Sequence, residues 1–194
     1  VTGGALAWMQ SYLTDRTQSV NINGTSSVPQ PLTVGLPQGS NVGPGEFPTY
    51  SSPLFGIARS HGISVHMYAD DTQLYLSFKP SDFKDAISQM EACLKEMREW
   101  LSLNHLKLNE EKTEFMVVGQ KNSIQKIQEP LSIVIGDATI TASDKVKNIG
   151  AVMDSQLNMV SHVNHISKSC YIHLRNLSRI RPNLTEDSAA TLVH

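Results

Sequence analysis

Tyr68-Ala69-Asp70-Asp71 sets two carboxylates side by side, and it is the sharpest chemical feature of this chain. On a straight strand, neighbouring side chains point to opposite faces, so such a pair cannot share one site. At the tip of a tight hairpin that restriction relaxes, and both carboxylates can face one cleft. A pair of this kind suits Mg2+, a hard cation that takes oxygen ligands and leaves room for phosphate. Two such ions stabilise the attacking and leaving oxygens in nucleotidyl transfer. An Asp-rich turn formed for local hydrogen-bonding reasons would contain the same two residues. Apolar strands on both sides, which would aim the pair from a rigid scaffold, weigh against that simpler account.

Those strands are legible. Ile63 to Tyr68 alternates apolar and polar residues, and Thr72 to Phe78 places Leu74, Leu76 and Phe78 on one face. Before them, Val1 to Leu13 reads as a helix with Leu6, Met9 and Leu13 on one face, and Gln18 to Ile22 reads as a half-buried strand. Asn23-Gly24 is a turn signal. From Pro29 to Pro53 the chain is rich in Gly, Pro and Ser, which predicts a loop with at most a short helix. Ser81 to Leu103 carries Phe83, Ile87, Met90, Leu94, Met97 and Leu101 at alternating steps of four and three, the mark of a helix burying one face. Strands are expected at Leu106 to Leu108 and Glu114 to Val118. A hairpin is expected over Leu131 to Ile135 and Ala138 to Thr141, turned by Gly136-Asp137, followed by one strand over Val146 to Met153. A last long helix is expected from Met159 to Ile180, and another begins at Asp187. Strands and helices without regular βα alternation give an α+β fold with a small antiparallel sheet.

Bulk properties exclude more than they select. A chain of 194 residues at 40% hydrophobic and 18% charged can bury a core. The formal net charge of −2 gives no overall basic signature, so nucleic-acid binding must rest on local patches. One such patch lies between Met159 and Leu184, where Lys168, Arg175, Arg179 and Arg181 occur without an acidic residue. Phosphate contact there would give salt-dependent, sequence-independent affinity, although a solvated basic helix face has the same composition. His162, His165 and His173 share this span, but their spacing makes a poor metal site. Cys93 and Cys170 lack a zinc or redox spacing and read as two buried apolar residues. No apolar run approaches the roughly 20 residues that span a bilayer, so no membrane partner is expected.

In order along the chain, several segments resemble the reverse transcriptases of LINE-type (non-LTR) retrotransposons. Tyr68-Ala69-Asp70-Asp71 is similar to the family's catalytic hairpin. Gly35-Leu36-Pro37-Gln38-Gly39-Ser40, with Gly43-Pro44 and Phe47, resembles the segment that contacts template and incoming nucleotide. Leu108 to Glu114 resembles the lysine-bearing palm segment, and Asn148-Ile149-Gly150 with Asp154-Ser155 resembles the primer grip. Trp8, Ser11-Tyr12-Leu13, Asp15-Arg16 and Gln18 also resemble the LINE-type palm.

The resemblance implies a palm-like antiparallel sheet with helices on one face over residues 1–156, and the start of a helical thumb over 157–194. It implies RNA-directed DNA synthesis from an RNA template, a DNA primer and dNTPs, with two Mg2+ ions (or Mn2+). Asp70 and Asp71 would be the metal ligands, and Lys112 would assist pyrophosphate departure. Gln38, Gly39, Ser40, Tyr68 and Ala69 would line the nucleotide and template site. Gly150 would belong to the primer grip, and Lys168, Arg175 and Arg179 would touch nucleic acid. Taken alone, Pro-Gln-Gly-Ser is an ordinary turn and Lys112 an ordinary surface lysine. The resemblance also implies a nuclear protein.

Two departures bear on activity. The family's fingers and first metal-binding aspartate fall upstream of the opening helix and have no counterpart in this sequence, so a fragment with little or no polymerase activity is expected. After Gly43-Pro44, where relatives continue with an apolar helix, this chain has Gly45-Glu46-Phe47-Pro48, which predicts a short, displaced or degraded helix. A non-catalytic nucleic-acid-binding remnant and a non-functional translated fragment are the other readings.

Overall fold

The computed structural model describes residues 2–35 and 39–193. The chain is α+β and divides into two compact units, Val1–Leu76 with Glu96–Leu108, and Ser77–Lys95 with Asn109–His194. Each is described by itself. Among the described residues the strands form five separate two-stranded antiparallel ladders rather than one sheet. No helix is long and apolar enough to cross a membrane, again among the described residues.

The first unit opens with α1 (Gly3–Leu13), which buries none of its residues, so the expected apolar face of Leu6 and Leu13 is exposed. The strand expected from Gln18 to Ile22 is broken into two short pieces. β1 (Thr17–Gln18) pairs with β4 (Gln30–Pro31), and β2 (Asn21–Ile22) pairs with β3 (Thr25–Ser26) across Asn23-Gly24. Both turn residues have positive φ, the type I′ geometry that this dipeptide favours.

The segment from Pro29 to Pro53, expected to be a loop with at most a short helix, holds the nine-residue α2 (Gly43–Ser51), and α3 (Pro53–Ser60) follows directly after it. Pro44 and Pro53 sit in first turns, where a missing N–H leaves no bond unmade. Pro48 alone lies inside a helix, where the buried Ser51 hydroxyl donates to the Phe47 carbonyl at 2.8 Å. α3 packs Leu54 and Ala58 inward against the strand that follows Ile63. That strand, β5 (Ser64–Tyr68), pairs with β6 (Asp71–Tyr75).

α4 (Phe83–Leu103) fulfils the expected four-three stripe and contributes to both units. In the first unit Met97 is buried, Glu96 pairs with His61 at 2.7 Å, and Tyr50 Oη donates to the Asn104 carbonyl at 2.9 Å. In the second, Phe83, Ala86, Cys93 and Leu94 are buried, and Glu91 accepts the Val134 N–H at 2.7 Å. Burial of a side chain such as Phe83 contributes roughly 1.5–3 kcal/mol.

In the second unit a short α5 (Lys121–Ile124) precedes β7 (Ser132–Ile135) and β8 (Ala138–Thr141), which pair across Gly136-Asp137 as expected. The strands expected at Leu106 to Leu108 and Glu114 to Val118 do not form. Among the described residues both segments lack a ladder partner; Ser143 N donates to Phe115 O within the latter, and Gly119 N donates to Ser155 O just after it. The single strand expected over Val146 to Met153 is a hairpin, β9 (Lys145–Asn148) with β10 (Ala151–Asp154). Its apolar run hid a turn at Ile149-Gly150, where both residues adopt positive φ. α6 (Val160–Ile180) and α7 (Glu186–Val193) complete the chain.

The expectation that both cysteines are buried is wrong for Cys170, which is exposed on α6; only Cys93 is buried. A burial assignment from residue type fails there because nothing described covers that face of α6. In native protein a thiol reagent should therefore modify Cys170 alone, and denaturation should release Cys93. Native reaction at both would remove Cys93 from the core.

Candidate functional site

The β5–β6 hairpin aligns Ser64 with Tyr75, His66 with Gln73 and Tyr68 with Asp71 on one face, and Val65 with Leu74 and Met67 with Thr72 on the other. Val65, Met67 and Leu74 are half-buried, whereas Tyr68, Asp71 and Tyr75 are exposed. The burial period of two thus fixes the register, since a one-residue slip would put the apolar set in water. Ala69 and Asp70 form the two-residue loop, so one carboxylate sits in the turn and the other on the first strand residue after it. Both are exposed, and among the described residues neither side chain has a hydrogen bond or ion pair.

Ala69 has φ +54, and Asp70 is not among the residues with positive φ. Glycine normally fills that first position, and an alanine there costs roughly 1–2 kcal/mol.

Gly39 and Ser40 lie ahead of α2, and Gln38 falls outside the described residues. Gly39 has φ +80 with open space where a Cβ would stand, so backbone conformation, not crowding, calls for glycine. Ser40 Oγ accepts from Tyr12 Oη at 2.6 Å and from the Gly43 N–H at 3.0 Å, which ties the turn to α1 and to the start of α2. Trp8 stacks on Tyr12 with centroids 5.6 Å apart and planes 7° apart. Sequence reasoning assigned Tyr12 no role, and the 28 residues between the partners leave no spacing signal.

The remaining expected residues belong to the second unit. Lys112 ends a single 3-10 turn, Glu110–Lys112, with Asn109 Oδ1 accepting its N–H at 3.2 Å; its side chain is exposed. The groove beside that turn, about 590 Å3, is lined by Glu110, Glu111 and Asp137. Gly150 occupies the β9–β10 turn at φ +82, next to an exposed Ile149.

After β10 the chain turns sharply into α6, and Asp154 makes the corner. The residue is 7% exposed, and its carboxylate accepts the N–H groups of Gln156 and Asn158, both at 3.1 Å, and of Met159 at 3.0 Å. Leu157 and Met159 both adopt positive φ around it. The Val152 N–H donates to His162 Nδ1 at 3.2 Å, so a histidine first weighed as a metal ligand fastens α6 to β10.

Along α6, Lys168, Arg175 and Arg179 are separated by seven and four residues and share one side at 100° per residue. Val163, Ile166, Cys170 and Leu177 form the opposite side. All three cations are exposed. Among the described residues no three His, Cys, Asp or Glu side chains gather where a metal ion could be held.

The family described as Reverse transcriptase (RNA-dependent DNA polymerase) matches residues 2–163. The chain belongs to the reverse-transcriptase family. The matched span contains the Gly39-Ser40 turn, the Asp70-Asp71 hairpin, Lys112 and Gly150. The reverse-transcriptase domain is similar to a Drosophila melanogaster protein named "Probable RNA-directed DNA polymerase from transposon BS", at 23% identity over 189 residues. That alignment covers 95% of this chain and 20% of the relative. It is also similar to "RNA-directed DNA polymerase from mobile element jockey", likewise from Drosophila melanogaster, at 22% identity over 166 residues, or 83% of this chain and 17% of the relative. The chain thus spans about a fifth of the length of these curated relatives. Both are named for transposons, in agreement with the retrotransposon resemblance. No solved structure matches significantly.

Two substitutions test the local geometry. Ala69→Gly should stabilise the first unit by about 1 kcal/mol in denaturant melts, because glycine carries no penalty at this φ; a loss of stability would mean that the turn is not left-handed. Asp154→Ala should cost roughly 3 kcal/mol by orphaning three N–H groups. Amide exchange at Gln156, Asn158 and Met159 should quicken, and unchanged protection there would refute the corner assignment.

Proposed function

We propose that this chain is the catalytic-hairpin portion of an RNA-directed DNA polymerase from a retrotransposon, working on RNA template, DNA primer and dNTP within a longer protein. The observation that carries the reading is the adjacent, exposed and unpartnered carboxylates of Asp70 and Asp71 at the end of a register-locked hairpin. In the same reading, residues 1–156 are palm and residues from 157 onward begin the thumb.

The donor set suits a divalent metal, which reverse transcriptases generally use: carboxylate oxygens, no soft ligand and no competing internal partner. Asp70 and Asp71 would hold the ion, Mg2+ or Mn2+, which when bound offsets charge on the reacting phosphate. Two carboxylates are few for two dications, so this chain by itself would bind them weakly and extend primers little. Gln38, Gly39 and Ser40 would meet the nucleotide and template, with the Tyr12 hydroxyl fixing Ser40 Oγ. Tyr68 and Ala69 would border the same space. Lys112 would donate a proton to the departing pyrophosphate, and Gly150 would let the Ile149 turn approach the primer closely. Lys168, Arg175 and Arg179 would follow duplex phosphates.

A second reading is favoured by the exposed basic side of α6: a remnant that binds nucleic acid and performs no chemistry. Titration of Mn2+ into the folded chain, followed by its paramagnetic effect on residues 68–71, separates the two. Saturable binding that Asp70→Ala abolishes is expected. Its absence in a folded protein would leave only the binding remnant. Primer extension on an RNA template should stay at background, and Asp70-dependent incorporation would show a more complete site than proposed.

A further inference from the structure

The apolar side of α6 is left open to water. Val163, Ile166, Cys170, Leu174 and Leu177 lie within about 40° of the direction of Cys170, counted at 100° per residue. The four large ones are 38 to 61% exposed, Cys170 is exposed, and α6 buries none of its residues. A helix in a protein draws most of its stability from burying such a stripe, and among the described residues none covers this one.

The stripe reads the same in both directions. Its steps are three, four, four and three, and Cys170 is the midpoint of Val160–Ile180. That symmetry is what a two-fold contact between identical chains requires, because the same patch must be complementary to itself. With the axis beside Cys170, an antiparallel second copy sets its Leu177 level with Val163 and its Leu174 level with Ile166. The two Cys170 side chains meet at the centre. We propose that α6 is a dimerisation surface through which two copies of this chain pair antiparallel along this stripe.

Charge selects the direction. Lys168, Arg175 and Arg179 lie about 140 to 180° from Cys170, so none faces the partner helix. Arg175, Arg179 and Arg181 gather toward the C-terminal end. A parallel pair would set these clusters side by side, whereas an antiparallel pair puts them at opposite ends and opposes the helix dipoles favourably. Level with Lys168, Arg175 and Arg179 then stand Ile172, His165 and Ser161 of the second copy, so no cation meets a cation. An acidic partner would instead be drawn to the far side of the helix and leave the stripe bare. Five side chains per copy make a contact below the roughly 1,200 Å2 of standard interfaces, so the dimer is weak, with Kd on the order of 10 μM. The proposal uses neither Asp70 nor Asp71 nor the cation side of α6, and stands apart from the polymerase reading.

The test uses the 194-residue chain under reducing conditions, followed by sedimentation from well below to well above that Kd. A monomer–dimer equilibrium is expected, with maleimide modification of Cys170 slowing as concentration rises. Ile166→Lys and Leu174→Lys should each raise Kd roughly tenfold or more. Both positions are exposed in the monomer, so circular dichroism should be unchanged. A short bis-maleimide should join Cys170 to Cys170. In a Cys170→Ser background, Val163→Cys alone should not cross-link, since the two-fold sets its copies about 21 Å apart. Mixed with a Leu177→Cys chain in the same background, it should.

A chain that stays monomeric throughout would overturn the proposal. Association indifferent to both lysine variants would overturn it too, by placing the contact on other exposed apolar surface. Cross-linking of Val163→Cys to itself would show a parallel pair and refute the two-fold arrangement. A monomer that binds anionic phospholipid vesicles, and loses that binding in Leu174→Lys, would make the stripe a lipid-facing surface instead. None of these results bears on Asp70-dependent Mn2+ binding, so the two readings fail separately.

Discussion

Burial of one helical stripe is the constraint on which the rest depends. Phe83, Ala86, Cys93, Leu94 and Met97 of α4 make up five of the eleven buried hydrophobic residues among those described. The first part of the helix supplies the core of one unit and its last part enters the core of the other. The β5–β6 hairpin can expose two unpartnered carboxylates because Leu54, Ala58, Ile63 and Met97 bury the apolar surface of its unit. Likewise, β7 is secured by Ile133 and Ile135 in the core and by Glu91 on its Val134 amide. Polar chemistry at the rim is possible because apolar chemistry is settled elsewhere.

How much was legible follows from where the information resides. Hairpins with a glycine in a polar two-residue turn, Asn23-Gly24 and Gly136-Asp137, could be read directly, and so could α4 from its period. The β9–β10 turn could not, because Ile149 at positive φ looks like one more apolar strand residue. α2 could be foreseen only as a short helix and α3 not at all, because the cost of a proline depends on its position within a turn, which composition does not reveal. At the candidate site, Asp70 and Asp71 announced themselves by adjacency. The Tyr12–Ser40 bond and the Asp154 corner did not, since each depends on chain segments meeting in space. Cys170 was misjudged because residue type predicts burial only where something covers the residue.

Site residues in the two units are supported differently. Around the β5–β6 hairpin, position is set by ladder register and side-chain alternation, which repeat over several residue pairs. Around α6, direction is set by one carboxylate and one imidazole at the helix start, after which the helix runs on without described cover. The first arrangement is stiff by redundancy. The second concentrates its control in a single corner, so a small change there is magnified along a helix roughly 30 Å long.

Five ladders of two strands mean that every described strand is also an edge. Each edge offers unpaired N–H and C=O groups that a neighbouring chain can satisfy by adding a strand. Hairpins this short gain little stability from backbone pairing alone, so they yield readily to such an intruder. Among the described residues, twenty-six large hydrophobic side chains are exposed as well. As a separate chain, this segment is therefore set up for self-association into aggregates. The short length of its strands, with charges on β6 at Asp71, on β9 at Lys145 and Lys147 and in the turn at Asp70, is the main brake on that process.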